Sequence, residues 1–186
     1  MIKNSHILSG AVNGEIEKGR VYLLGYYNDN AEKDLVKIVD DMKNNISGNS
    51  LSITDDTNIP SIERSVGGMA IGSSIGVLLV KELTLIEPVK SENHSGSIRG
   101  MILDQLKDIA LKYEIPVLVC HKMNHDEVKD YMLGNKRIMF DIAEPTDFLG
   151  FIYKYNKEVN CWVVKNRQSS ESLNQEHLIA IDDKII

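Results

Sequence analysis

The sequence predicts an α/β protein: a mainly parallel central sheet flanked by helices, with antiparallel strands at its C-terminal edge. Three features predict it. Short runs rich in β-branched and apolar residues alternate with amphipathic segments, the pattern of a parallel sheet covered by helices. The runs Gly76–Val80 and Pro116–Cys120 are continuously apolar, as strands buried on both faces are. From Phe148 onward, strand-like runs follow one another with no helical segment between them, which suits antiparallel neighbours joined by short turns.

The elements follow in order. Residues 20–25 (RVYLLG) read as a buried strand and 26–30 as a polar turn. A helix is predicted over 31–44, because Leu35, Ile38, Val39 and Met42 fall at helical spacing. The stretch 44–50 (NNISGNS) ends it. Residues 51–53 form a short strand running into 54–57 (TDDT), and a weak helix begins near Ser61. After the strand Gly76–Val80 comes a polar loop over 88–96. The clearest helix spans 97–114, where Ile98, Met101, Ile102, Leu106, Ile109 and Tyr113 make one broad apolar face. The strand 116–120 follows, then a short helix over 125–133 and a loop over 134–146. Strands are predicted at 148–155, 159–165 and 176–181, with 156–158 as the first hairpin turn. No repeat, low-complexity tract or linker divides the chain, so residues 1–186 are expected to form one domain.

Composition narrows the function classes. With 42% hydrophobic and 26% charged residues, the chain is neither a disordered tail nor a disulfide scaffold. No apolar run reaches the length of a membrane span, and the opening MIKNS is polar, unlike a signal peptide. Cys120 and Cys161 lie singly in apolar runs, the pattern of buried free thiols and of a reducing cytoplasm. The net charge of -6 speaks against strong independent binding to DNA, since neutralising phosphates supplies most non-specific affinity.

Seven segments, in order along the chain, resemble the RecA-like C-terminal domain of DnaB-type replicative helicases. The helix 98–114 followed by IPVLVC at 115–120 looks like the family's long helix ending in N-V-P-V-I-A-L-S-Q. Residues 53–64 (ITDDTNIPSIER) are similar to its I-D-D-T-P strand and the helix after it, and 77–85 (VLLVKELTL) to its I-V-I-D-Y-L-Q-L Walker B strand. Residues 135–142 (NKRIMFDI) resemble D-K-R-P-M-L-S-D-L, 147–154 (DFLGFIYK) resemble A-D-V-V-L-F-I-Y-R, and 163–167 (VVKNR) resemble I-A-K-N-R. Near the start, 14–24 (GEIEKGRVYLL) resemble the family's lead into the phosphate loop. The resemblance implies a RecA-like P-loop NTPase fold.

Against that background the chain lacks the residues of nucleotide chemistry. A phosphate loop needs G-x-x-x-x-G-K-[ST], because backbone N–H groups wrap the phosphates while lysine and hydroxyl meet phosphate and magnesium. Counting from Gly25, the last three positions hold Asn30, Ala31 and Glu32; Lys33 comes two places late and is followed by Asp34. Asp29, Glu32 and Asp34 would repel a triphosphate. An ordinary strand-to-helix turn with an acidic first turn, suited to the helix dipole, accounts for the segment better than a distorted loop using Lys33. The family's metal-holding Walker B aspartate is matched by Lys81, and Glu82 in a regular strand would point to the opposite face. The family's strand carrying a catalytic glutamate has no counterpart between the helix ending near Asn44 and the strand at Leu51.

The resemblance sets some of the other candidates, and residue type and spacing set the rest. Lys165 and Arg167 match a K-x-R pair whose arginine reaches a neighbouring subunit's nucleotide, so they are candidates for an arginine-finger-like interface; a solvated strand face is the competing reading. Lys90, Arg99, Lys136 and Arg137 fall in the loops that face DNA in the family, though on an acidic chain scattered cations are more often solvated surface. His121 and His125 have helical ligand spacing but no third ligand, so local hydrogen bonding is expected of His121 rather than a metal. Ser65, Ser73 and Ser95 lack the setting of a nucleophile. No catalytic residue, metal or cofactor is expected.

The expected function is that of a degenerate helicase-like domain, inactive as an ATPase. It would act in DNA replication by associating with a DnaB-type helicase or with copies of itself. One alternative is a divergent helicase domain that still binds ATP and magnesium through Lys33 and a neighbour's Arg167. Another is a structural protein of a phage or mobile element.

Overall fold

The computed structural model describes residues 16–27, 29–44, 46, 48–72, 75–90, 97–124, 127, 142–155, 158–166 and 175–179. Among the described residues the chain runs through β1 (Val21–Tyr26), α1 (Asp29–Asn44), β2 (Asn49–Ile53), β3 (Thr57–Asn58) and α2 (Ile59–Gly72). It continues with β4 (Ile75–Val80), a 3₁₀ turn (Leu83–Leu85), β5 (Ile86–Glu87), α3 (Ile98–Tyr113) and β6 (Val117–Lys122). The last described elements are β7 (Phe148–Tyr155), β8 (Glu158–Asn166) and β9 (Gln175–Ile179). The main sheet has seven strands in the order β2-β4-β6-β1-β7-β8-β9. All pairs from β2 to β7 are parallel, whereas β7–β8 and β8–β9 are antiparallel. The predicted architecture is therefore present, and β6 is inserted between β1 and β4.

Side-chain alternation divides the core into two layers. Val21 and Leu23 of β1, Leu78 and Val80 of β4, and Val117 and Val119 of β6 face α2 and α3. Tyr22 and Leu24, Val77 and Leu79, and Leu118 and Cys120 face the α1 side. Consecutive apolar residues thus serve opposite faces, which is why these strands read as unbroken apolar runs. Cys120 and Cys161 are buried free thiols, as expected, and burial pushes both up to about 12.

The helices begin and end where local chemistry allows. The Ser97 hydroxyl accepts the Gly100 N–H at 3.1 Å to cap α3, and Glu114 closes the helix in the left-handed region at φ 51°. Asn58 caps α2 by accepting the Ser61 N–H at 3.0 Å. The weak helix expected near Ser61 extends over 14 residues. Gly67, Gly68 and Gly72 lower its intrinsic propensity, but Ile59, Ile62 and Val66 bury one stripe against the sheet, and packing overrides propensity. The small parallel pair β3–β5 was not expected from sequence.

A buried charge cluster ties the amino end of the sheet to α3. The Asp147 carboxylate accepts the Val21 N–H at 2.8 Å, an Arg20 N–H at 3.1 Å and the Lys107 ammonium. Lys107 also donates to the Gly19 carbonyl at 2.8 Å.

Two expectations at the C-terminal strands need correction. The pair Tyr155–Glu158 places Glu158 in β8, so the first hairpin connection is shorter than 156–158. More consequentially, Leu149 pairs with Lys165 but Gly150 pairs with Val163, so β8 carries an extra residue at Val164. Strict alternation would place Lys165 on the face of Val163. The bulge turns it to the face of its partner Leu149, which it shares with Trp162 and Val164.

The helix expected over 125–133 lies outside the described residues apart from Glu127, which is helical.

Candidate functional site

The carboxyl ends of β1, β4, β6 and β2 converge where an open α/β sheet binds ligands. At the first of these, β1 ends at Tyr26 and α1 begins at Asp29, leaving two residues between strand and helix. The positions counted from the phosphate-loop pattern are therefore absorbed into regular structure. Gly25 belongs to β1, while Asn30, Ala31, Glu32 and Lys33 belong to the first turns of α1. Ala31 is buried in the core, Glu32 is half-buried and Lys33 is exposed. A Cβ at Gly25 would stand 2.5 Å from the Phe151 ring and 3.1 Å from the Met123 sulfur. Those side chains occupy the space above this strand end, and the glycine permits their close approach.

At the second strand end, Lys81 lies just beyond β4 and is exposed; its N–H donates to the Ile53 carbonyl at 3.0 Å. As alternation predicts, Glu82 lies on the other face of the sheet from Lys81, on the side of His121, Leu23 and Phe151. Glu82 caps the 3₁₀ turn and reaches across to β6. It lies 2.8 Å from His121 Nδ1 and accepts the Lys122 N–H at 2.7 Å. A carboxylate only accepts, so Nδ1 carries the proton. Burial alone would raise the Glu82 carboxyl, but the bonds from His121 and the Lys122 amide outweigh it and hold it below its ordinary value.

The local hydrogen bonding expected of His121 is present, with Glu82 as partner. Sequence reasoning missed that partner: 39 residues separate the two, and only the β4–β6 pairing brings them together. His121 is buried, and its Nε2 faces Glu127 Oε1 at 3.9 Å, beyond hydrogen-bond reach. Glu127 forms an ion pair with Arg99 and exchanges amide bonds with Asn124, at 2.8 and 2.9 Å, in a reciprocal cap. The candidate DNA contact Arg99 is thus partly exposed and paired with Glu127 of the same chain.

On the opposite face of the sheet from these polar groups lies an open crevice of about 230 Å³ between α1 and the strand ends. Leu79, Leu118 and Cys120 contribute to its sheet side, and Leu35, Val36 and Val39 to its α1 wall. Glu32 and Asp40 stand on the same helix wall, with Lys81, Ser52 and Thr54 across from them. Among the described residues, no group of three or more His, Cys, Asp or Glu side chains is placed to hold a metal ion. Nor is any described helix long and apolar enough to cross a membrane.

The remaining candidates do not gather at this site. Lys165 donates to the Ala143 carbonyl, and to the Glu144 carbonyl at 3.0 Å, so its ammonium closes the turn before β7. Lys90 is exposed. Arg167, Lys136, Arg137 and His125 lie outside the described residues.

No protein-family profile matches the chain, and no curated protein sequence does. Solved structures do match. A DnaB-like replicative helicase superposes over 88% of this chain with a TM-score of 0.66 at 12% identity. The chain spans 56% of that helicase's length. The RadB recombinase superposes over 92% of this chain and 91% of its own, with a TM-score of 0.57 at 13% identity. A further ATPase domain superposes over 87% of this chain and 80% of its own, with a TM-score of 0.52 at 14% identity. Strand order, the inserted β6 and these superpositions agree: the chain has the RecA-like fold of DnaB-type helicase and recombinase ATPase domains.

Proposed function

We propose that this chain is a RecA-like domain that does not hydrolyse ATP and that acts in DNA replication by associating with a DnaB-type helicase or with copies of itself. The observation that carries this reading is the two-residue junction between β1 and α1. Eight residues of phosphate loop place successive N–H groups around an anion; here the corresponding stretch is strand, short turn and helix, with the half-buried Glu32 in the first turns of that helix. Lys81 at the end of β4 gives the same direction of support, since an ammonium cannot coordinate magnesium. So does the direct passage from α1 to β2, which leaves four residues where the family has a further strand. On this reading the fold supplies subunit surfaces without a cofactor. Lys165 and Arg167 mark one of those surfaces, and the setting is the cytoplasm.

The test has two measurements. A nucleotide binder gains thermal stability with ligand by mass action, about 2.7 kcal/mol at a hundred times its dissociation constant. Millimolar ATP with magnesium is expected to leave the melting temperature unchanged; a magnesium-dependent rise would establish the divergent-ATPase alternative instead. Arg167→Ala is expected to melt as wild type does while weakening self-association or capture of a DnaB-type helicase. Unchanged association in both assays would remove this strand from the interface.

A further inference from the structure

We propose that the crevice between α1 and the carboxyl ends of β2, β4 and β6 binds a small organic cation with an apolar body. This goes beyond the proposed function and does not depend on it. The crevice has a structural origin. α1 packs on β1 and β7, and residues 45–48 then carry the chain directly to β2 at the far edge of the sheet. A helix about 10 Å wide spans roughly two strands spaced about 4.8 Å apart, so α1 alone does not roof the carboxyl ends of β6, β4 and β2. The edge strand does not fill the gap either. Ser50 pairs with Val77 and Ser52 with Leu79, so β2 offers this face only small hydroxyl side chains, while Leu51 and Ile53 turn to the other layer.

The lining sets the ligand class. Leu79, Leu118 and Val39 make an apolar bed, and Val36 is left 48% exposed beside it. Glu32 and Asp40 lie on one stripe of α1, eight positions apart, at the two ends of that apolar wall. Neither forms an ion pair with a described residue. Opposite them stands the ammonium of Lys81, so carboxylates outnumber cations among the described lining residues. Such a site repels phosphate and attracts an amine. An apolar cavity of about 150 Å³ takes a benzene ring, and drug-sized ligands need about 300–1,000 Å³. The volume of about 230 Å³ therefore suits one ring with a short aminoalkyl arm.

The test uses the full chain with phenethylamine as probe and phenylacetate as its anionic counterpart, followed by NMR line-broadening and chemical-shift titration. Phenethylamine is expected to bind with a dissociation constant on the order of a millimolar, the range for a fragment of this size. Phenylacetate is expected to bind at least tenfold more weakly. Glu32→Gln and Asp40→Asn are each expected to weaken the amine severalfold, and Val36→Trp, at a half-exposed position that tolerates bulk, to block it. Equal binding of amine and acid, absence of binding by either, or indifference to all three variants overturns the proposal. Displacement of the amine by ATP with magnesium also overturns it, as does self-association that closes the crevice and abolishes the amine signal as protein concentration rises.

Discussion

At Asp147, donors from two distant parts of the chain converge on one buried carboxylate: the adjacent Arg20 side chain and Val21 amide, and the Lys107 ammonium. Burial would raise this carboxyl, but Lys107, the Val21 amide and Arg20 together hold it below its ordinary value. The sign of the consequence follows from that direction. A carboxyl depressed in the folded state stabilises the fold above its unfolded value, about pH 4, and loses this contribution as pH falls through the folded value. Breaking a buried pair by removing one partner costs roughly 3–5 kcal/mol. Asp147→Asn is therefore expected to lower stability by about that amount at pH 7, as measured by urea unfolding. The gap from wild type should close as the pH drops below about 4. A gap that persists at low pH would mean that packing, not charge, is what the substitution disturbs. Sequence reading identified Asp147 only as the first residue of a matched segment, because nothing local foretells that Lys107 and Arg20 meet it.

Among the elements, α3 shows how far local signals reach. Its limits were legible in the sequence to within a residue: Ser97 supplies the cap, and the apolar stripe ends at Tyr113. Its end nonetheless carries strain, because Glu114 sits at φ 51°, where a Cβ is disfavoured. Glu114→Gly is expected to stabilise the protein by about 0.5–1 kcal/mol, and Ser97→Ala to destabilise it by about 1 kcal/mol. Paired thermal melts of the two variants check both signs, and a loss of stability in Glu114→Gly would place the strain elsewhere. β8 marks the opposite limit. Its apolar alternation predicted a strand correctly, but one extra residue at Val164 reverses the face of Lys165, and a bulge leaves no local signature in that run.

For the whole molecule, the charge of -6 is the property with the plainest consequence. Counterion release scales with the number of phosphates neutralised, and several described cations are already paired with carboxylates of the same chain: Arg20 and Lys107 with Asp147, Arg99 with Glu127, Lys112 with Glu63. The chain is therefore expected to bind single-stranded DNA more weakly than about 10 μM at physiological salt. Fluorescence anisotropy with a labelled oligothymidylate checks this across a salt series. Tight binding that survives salt would reveal a concentrated basic surface on the folded protein.

The order of elements, the parallel centre and the antiparallel edge were determined by the sequence alone, since each rests on periodicity or on the length of the connection between runs. The residues at the positions counted from a phosphate-loop pattern, Asn30, Ala31 and Glu32, are likewise read from the sequence alone, because that pattern depends on fixed spacing along the chain. The tertiary structure alone decided what the strand ends do. Glu82 could be paired with His121 only once β4 lay beside β6, and the crevice exists only because α1 rests on β1 and β7 while β2 lies three strands away from β1. Local sequence encodes the faces and limits of elements; the meeting of residues far apart in the chain depends on which strands become neighbours, and that is fixed by packing of the whole sheet.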